Sequence, residues 1–166
     1  MPLNYEIQPQ EPKTELVGNE EVGGIKIPCF GMLLEPERNF IEENSEGLPD
    51  LRQECVRLAN AIAKETGKSM QEVYDALTNS DAQALSSHLE TLVEFTNLMQ
   101  KVGSKRQLIK ATAIIRFRLE PEWTIEDTAN PKLIHPGLVR LISNFAQRET
   151  EGGTSLLLES EASSKP

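Results

Sequence analysis

Short rows of apolar residues at helical spacing, separated by proline and glycine, most constrain the fold of this 166-residue chain. Leu51, Cys55, Leu58 and Ile62 recur at intervals of four, three and four residues, which places them on one face of a helix. Rows with this helical period lie within residues 51–62, 70–77, 85–99 and 138–145. The pattern predicts a mainly α-helical fold of five or six helices.

Capping signals mark where several of these helices begin and end. Ser69 with Glu72 three residues later forms a capping-box pattern, and Gly67 stands where a left-handed C-terminal cap belongs. Ser80 with Gln83 repeats the pattern before a longer helix, which Gly103 and Ser104 are expected to end near Val102. Thr124 is expected to cap a short helix with an acidic first turn.

In two segments the spacing of apolar residues does not by itself predict a helix. Residues 22–34, VGGIKIPCFGMLL, form the one plausible strand region, and their glycines and proline favour a short hairpin or an extended arm. Residues 105–119 fit either a helix or an alternating strand, and their length and composition favour the helix. The predicted organisation is a flexible N-terminal extension over 1–20, a helical domain over 21–149 and a disordered polar tail over 150–166.

Charge is spread unevenly along the chain. The formal net charge is −9, yet residues 1–50 alone carry −8 and residues 101–150 carry +4. No acidic residue occurs between Phe95 and Leu119, and this stretch contains Lys101, Lys105, Arg106, Lys110, Arg116 and Arg118. These bases either pair with the acidic N-terminal third or form a docking surface for an acidic partner segment. The overall acidity argues against a general nucleic-acid binder.

Catalytic and metal-binding patterns are missing from the sequence. Two cysteines and two histidines exclude a disulfide scaffold and a cluster of cysteine and histidine ligands, and Cys29 is expected to be a small buried or half-buried thiol. The acidic pairs at 35/37 and 42/43 lie in polar surroundings and are expected to be exposed. Glycine-rich nucleotide loops and nucleophile elbows do not occur. We therefore expect no enzyme activity, no cofactor and no metal.

Membrane and export signals are likewise missing. No window of about 18 apolar residues occurs, so no membrane-spanning helix is expected. The first residues, MPLNYEIQPQEPKTEL, contain neither a basic start nor an apolar stretch, and a signal peptide is not expected.

Residues 111–149 combine an apolar helix, the turn PEWTIEDT, a proline-rich link and a helix ending SNFAQRE. Their sequence is ATAIIRFRLEPEWTIEDTANPKLIHPGLVRLISNFAQRE. It resembles the C-terminal part of tail assembly chaperones of tailed bacteriophages and prophages. The N-terminal piece IKIPCFGMLLEPERNFIEE, residues 25–43, is similar to the compact opening of those proteins. The resemblance covers about two thirds of the chain, and the N-terminal extension departs from it.

The resemblance implies a transient, non-enzymatic role in virion morphogenesis. Such proteins bind the long tape-measure protein during tail assembly in the bacterial cytoplasm and help to recruit tail-tube subunits. The alternatives are a structural minor tail or baseplate component, or an adaptor domain unrelated to phages; association with a second copy stays open. The expected partner-binding residues are Lys105, Arg106, Lys110, Arg116, Arg118, Phe117, Trp123 and Phe145.

Overall fold

The protein is mainly α-helical with a two-stranded antiparallel hairpin near its N-terminus, as the sequence predicts. The computed structural model describes the backbone of residues 12–163 and the side chains of residues 12–151. Its strands are β1 (Lys13–Asn19) and β2 (Gly23–Cys29). Its helices are α1 (Glu35–Ser45), α2 (Leu51–Thr66), α3 (Met70–Thr78), α4 (Leu89–Arg118), α5 (Ile125–Ala129) and α6 (Pro136–Ser163). The described residues also contain one 3₁₀ turn, Ser86–His88.

The chain divides into two compact units, where the sequence predicts one helical domain over 21–149. Unit 1 combines the described residues up to Glu43 with those from Gln107 onwards, and unit 2 is Asn44–Arg106. The division follows from two separate groups of apolar side chains, because each group buries its own core. Helix α6 continues to Ser163, past residue 149, where the sequence predicts the start of a disordered tail.

The hairpin of unit 1 pairs Lys13 with Cys29 at its open end and Asn19 with Gly23 at its turn. The expectation of a flexible segment over 1–20 is therefore wrong for residues 13–19, while residues 1–11 lie outside the described part. The sequence did not identify β1 because its single buried apolar residue, Val17, gives almost no alternating signal. Gly18 has φ of +130°, and a Cβ there would lie 2.0 Å from the Gly23 carbonyl oxygen. Only glycine allows the strands to approach so closely at this pair.

Unit 1 buries the inner face of the hairpin against the apolar faces of α4 and α6. Ile27 and Ile142 are completely buried, and Ile114 of α4 is equally inaccessible. The core members are Val17, Ile27, Ala111, Ile114, Ile115, Ile134, Leu138, Val139, Ile142, Phe145 and Ala146. The α6 row predicted from residues 138–145 therefore faces the core.

Unit 2 packs α2 and α3 together with the first part of α4. Three of its local predictions are confirmed: Cys55 and Ile62 are buried, Gly67 ends α2 in the left-handed conformation, and the Ser69 hydroxyl accepts the Glu72 N–H. The core consists of Cys55, Ala59, Ile62, Val73, Ala76, Leu77, Leu85, Leu92 and Phe95.

Helix α4 corrects one prediction about its course and confirms another. It continues without interruption through Gly103 and Ser104, where the sequence predicts a break. Residues 105–118 are helical, as their length and composition favour. A single helical glycine costs only about 1 kcal/mol relative to alanine, which the burial of Val102 and Ile109 on either side offsets.

The start of α4 also differs from its prediction. The carboxylate of Asp81, and not Ser80, accepts the N–H groups of Gln83 and Ala84. Regular α-helix begins only at Leu89, after the 3₁₀ turn. The apolar row predicted within residues 85–99 includes Val93 and omits Phe95, but Val93 is 55% exposed while Phe95 is buried. The buried face is therefore rotated from the predicted one.

Candidate protein-binding site around a buried arginine

Arg118, at the end of α4, lies at the centre of a polar network inside unit 1. Its Nε donates to Glu37 Oε1 at 2.6 Å, and Nη1 donates to Glu149 Oε2 at 3.1 Å and to the Pro28 carbonyl at 2.8 Å. Its Nη2 donates to Glu37 Oε2 at 2.9 Å and to the Met32 carbonyl at 3.0 Å. An arginine has five N–H donors, and every one of them is used here.

The ion cluster, which we define as Glu37, Arg118 and Glu149, is withdrawn from solvent. Their side chains are 0%, 0% and 6% exposed. Glu37 was expected to be an exposed helix-start acid, and this expectation is wrong because it pairs with a base 81 residues away. The Arg118–Glu37 pair is one instance in which a base of the acid-free stretch pairs with the acidic N-terminal third.

Each carboxylate also holds backbone next to the hairpin. Glu37 Oε2 accepts the N–H of Leu34 at 2.8 Å, so the third residue of α1 reaches back to the residue before the helix. Glu149 Oε2 accepts the N–H of Phe30 at 3.3 Å. Together with the Met32 carbonyl on Arg118, these bonds fix the backbone of residues 30–34, FGMLL, which we call the anchored loop.

Two large apolar side chains project from the anchored loop into solvent. Phe30 is 44% exposed and Met32 is 54% exposed. The Arg118 guanidinium lies 5.0 Å from the centre of the Phe30 ring, a distance at which a cation attracts an aromatic face. The loop thus displays apolar surface from a backbone that is already ordered, an arrangement that lowers the entropy cost of binding a partner.

Cys29 completes the network but is unsuited to nucleophilic chemistry. Its thiol donates to Glu149 Oε1 at 3.0 Å. This hydrogen bond, and secondarily burial, raises the pKa of the Cys29 thiol above its ordinary value. Because the thiolate is the reactive species, the structure holds Cys29 in its unreactive form.

We expect both cysteines of the folded protein to react slowly with a thiol reagent such as DTNB. Burial raises the pKa of Cys55 as well, and its side chain is almost inaccessible. The pKa of each thiol is higher in the folded than in the unfolded chain. The stability that the protonated thiols contribute is therefore fully present below the ordinary pKa of 9.0, and it is lost as the pH rises through the pKa of the folded state. The rate of the DTNB reaction is measured at pH 8 for the folded chain and for the chain unfolded in urea. Equal rates in the two conditions would contradict the prediction of slow reaction in the folded state.

A second exposed group lies where α1 and α4 meet within unit 1. The rings of Phe40 and Phe117 make an edge-to-face contact with centroids 5.9 Å apart. The Arg116 guanidinium lies 6.0 Å from the first ring and 5.9 Å from the second, and its Nη1 donates to the Trp123 carbonyl. Phe117 is 38% exposed, so this aromatic pair adds to the apolar surface of unit 1.

Two of the predicted partner-binding residues are internal and cannot contact a partner. Arg118 belongs to the ion cluster, and Phe145 is 1% exposed in the unit 1 core. Both predictions are wrong because the local sequence does not show which helix faces the hairpin and its neighbours cover.

The other predicted residues lie at or near the surface. Lys105 and Arg106 are exposed in unit 2, while Lys110 of unit 1 donates to Gln147 Oε1 at 2.8 Å. Trp123 is half-buried, and its indole N–H donates to Thr128 Oγ1 at 2.8 Å, beside the Thr124–Asp127 capping box.

Sequence reasoning overlooked Glu37, Glu149, Phe30, Met32 and Phe40. Only the loop carries a signal in the sequence, because four large apolar residues follow Cys29 around one glycine. Within the part of the chain whose side chains are described, no group of three or more potential metal ligands comes together. Among the described helices, none is long and apolar enough to cross a membrane.

No family model matches the chain, and no curated protein or solved structure matches it significantly.

Proposed function

We propose that this chain is a non-enzymatic protein-binding domain that acts as a phage tail assembly chaperone. In this role it covers apolar helical stretches of the tape-measure protein in the host cytoplasm until tail-tube subunits assemble around that protein. The observation that carries the proposal is the anchored loop, because it displays Phe30 and Met32 from a backbone held by three buried charged side chains. Methionine and aromatic side chains suit a surface that must accept varied apolar helices.

The chemistry of the ion cluster favours binding over catalysis. Arg118 has no free donor, the Glu37 and Glu149 carboxylates are occupied, and the Cys29 thiol is held protonated. A catalytic group needs a free lone pair or proton near a substrate. Here Arg118 has no donor left, and each buried carboxylate already accepts three hydrogen bonds from this chain. Their hydrogen bonds instead determine where the loop backbone lies.

We expect the double variant F30S/M32S to lose most of its affinity for the client while it stays folded. Two anchors worth about 1 kcal/mol each weaken binding by about 30-fold. The measurement co-expresses each variant with a tape-measure protein as client and compares the amount of soluble client, followed by titration calorimetry with the purified proteins. Leu133→Ser is the matched control, since Leu133 is an equally exposed apolar residue of unit 1.

The two variants give opposite expectations. Leu133→Ser should keep the client as soluble as the wild type does, whereas F30S/M32S should leave it in the insoluble fraction. If F30S/M32S protects the client fully, the anchored loop is not the binding site. If the client is equally soluble without any form of this chain, the chaperone function itself fails.

A structural place in a phage-like particle is the second candidate, and the hairpin favours it. Among the described residues, no backbone–backbone hydrogen bond joins β1 or β2 to another segment, so the outer edge of β1 can pair with an extended strand of a neighbour. On β2 the Pro28 carbonyl is already bound by Arg118. Mass spectrometry of purified particles separates the two functions. Stoichiometric amounts of the chain in the particle would support the structural role, and its absence would support the chaperone.

A further inference from the structure

The solvent face of α4 within unit 2 carries a self-complementary pattern of charge. Glu90 and Glu94 lie on its first turns, and Lys101 and Lys105 lie farther along; all four are exposed. Their intervals of four, seven and four residues keep them on one side of the helix. The acidic and basic pairs are thus arranged symmetrically about a point between Asn97 and Leu98.

This arrangement is unfavourable in an isolated helix. Like charges four residues apart repel, and α4 contains such a pair at each end of the face. No salt bridge or hydrogen bond within the described part of the chain involves the side chains of these four residues. Opposite charges that approach from a second molecule would relieve the repulsion within each pair.

We propose that unit 2 forms a homodimer in which the α4 helices of two copies pack antiparallel about a two-fold axis between residues 97 and 98. In this register Glu90 faces Lys105 of the second copy and Glu94 faces Lys101, and the symmetry repeats both contacts. Four inter-chain ion pairs follow from one helix face. The partner is a second copy of this chain, because the order acidic–acidic–basic–basic along this face meets opposite charges when a second copy runs in the antiparallel direction.

Apolar surface next to the charges also favours pairing. Leu89 and Val93 are 48% and 55% exposed, four residues apart on the same solvent side of the helix. An antiparallel neighbour covers part of both side chains, and burial of exposed apolar surface drives association. The 16-residue face is about 24 Å long, so the interface is small and the dimer is reversible.

The test uses the purified chain alone and therefore does not depend on any client. Sedimentation velocity from about 1 µM to about 1 mM covers the dissociation constants expected of a small interface. We expect wild type to show a concentration-dependent dimer, and E90K/E94K and K101E/K105E each to raise its dissociation constant at least about tenfold. An equimolar mixture of the two variants restores a dimer, because each supplies the charge that the other has lost.

The control reverses charges elsewhere in unit 2. The variant E46K/E72K changes the net charge as much as E90K/E94K does but alters exposed residues outside α4, and it should dimerise like wild type. A wild type that stays monomeric over the whole range overturns the proposal. So does a dimer that survives both reversals, or a mixture that fails to restore it.

A disulfide trap tests the register separately. Two Asn97 Cα atoms differ in height by only about 1.5 Å across the proposed axis, whereas two Ser104 Cα atoms differ by about 20 Å. We expect Asn97→Cys to form an inter-chain disulfide under mild oxidation and Ser104→Cys, equally exposed on α4, to stay reduced. The reverse result contradicts the antiparallel register.

Discussion

Replacing Arg118 with methionine is expected to lower the free energy of unfolding by about 3–5 kcal/mol. The substitution keeps a long side chain but leaves the Glu37 and Glu149 carboxylates buried without a counter-charge. The Pro28 and Met32 carbonyls lose their donors as well. Urea denaturation followed by circular dichroism measures the loss as a lower transition midpoint at unchanged slope.

Arg148→Met is the matched control for this prediction. Arg148 also pairs with a glutamate, Glu15, at 2.9 Å, but the two side chains are 59% and 39% exposed. Exposed pairs contribute at most about 1 kcal/mol. If Arg118→Met is no more costly than Arg148→Met, the buried ion cluster does not hold unit 1 together.

The triple variant E37L/R118M/E149L separates the cost of an unpaired charge from the value of the cluster. It leaves no buried charge, so it should be more stable than Arg118→Met alone. It should remain below wild type, because Leu34 and Phe30 lose the carboxylates that accept their N–H groups. A triple variant less stable than Arg118→Met would show that the carboxylates stabilise the fold without the arginine.

Local signals predict the helices of this protein well. Gly67 and Ser69 bound their helices as expected, because a cap depends on residues within one turn of it. Helix α4 was more difficult, since Gly103 is a weak helix breaker whose effect the burial of Val102 overrides. Prediction of an element's type is reliable where the determining contacts are close in sequence.

The candidate site could not be predicted in the same way. Glu37 and Glu149 meet Arg118 across 81 and 31 residues, and nothing in the local sequence distinguishes these acids from the exposed ones. The sequence places Phe30 and Met32 in a short hairpin or extended arm, because only the hydrogen-bond network shows that their loop is fixed. The bases between Phe95 and Leu119 are evident from the sequence. Among them Arg118, whose side chain is fully buried, has a structural role that composition cannot show.

Phe145→Ala is expected to lower the free energy of unfolding by about 3–5 kcal/mol, while Phe117→Ala lowers it by less than about 1 kcal/mol. Phe145 is 1% exposed among the apolar residues of unit 1, so truncation leaves a cavity that close-packed neighbours fill only in part. Phe117 is 38% exposed, and water replaces its ring. The same denaturation measurement compares the two variants.

The comparison also tests which predicted aromatic residue can bind a partner. Phe117→Ala should keep the fold and weaken client binding, since its ring forms part of the exposed pair with Phe40 beside Arg116. Phe145→Ala should weaken binding only in proportion to the fraction of chain that unfolds. Equal stability of the two variants would contradict the assignment of Phe145 to the core, because a side chain that supports the unit 1 core cannot be removed without cost.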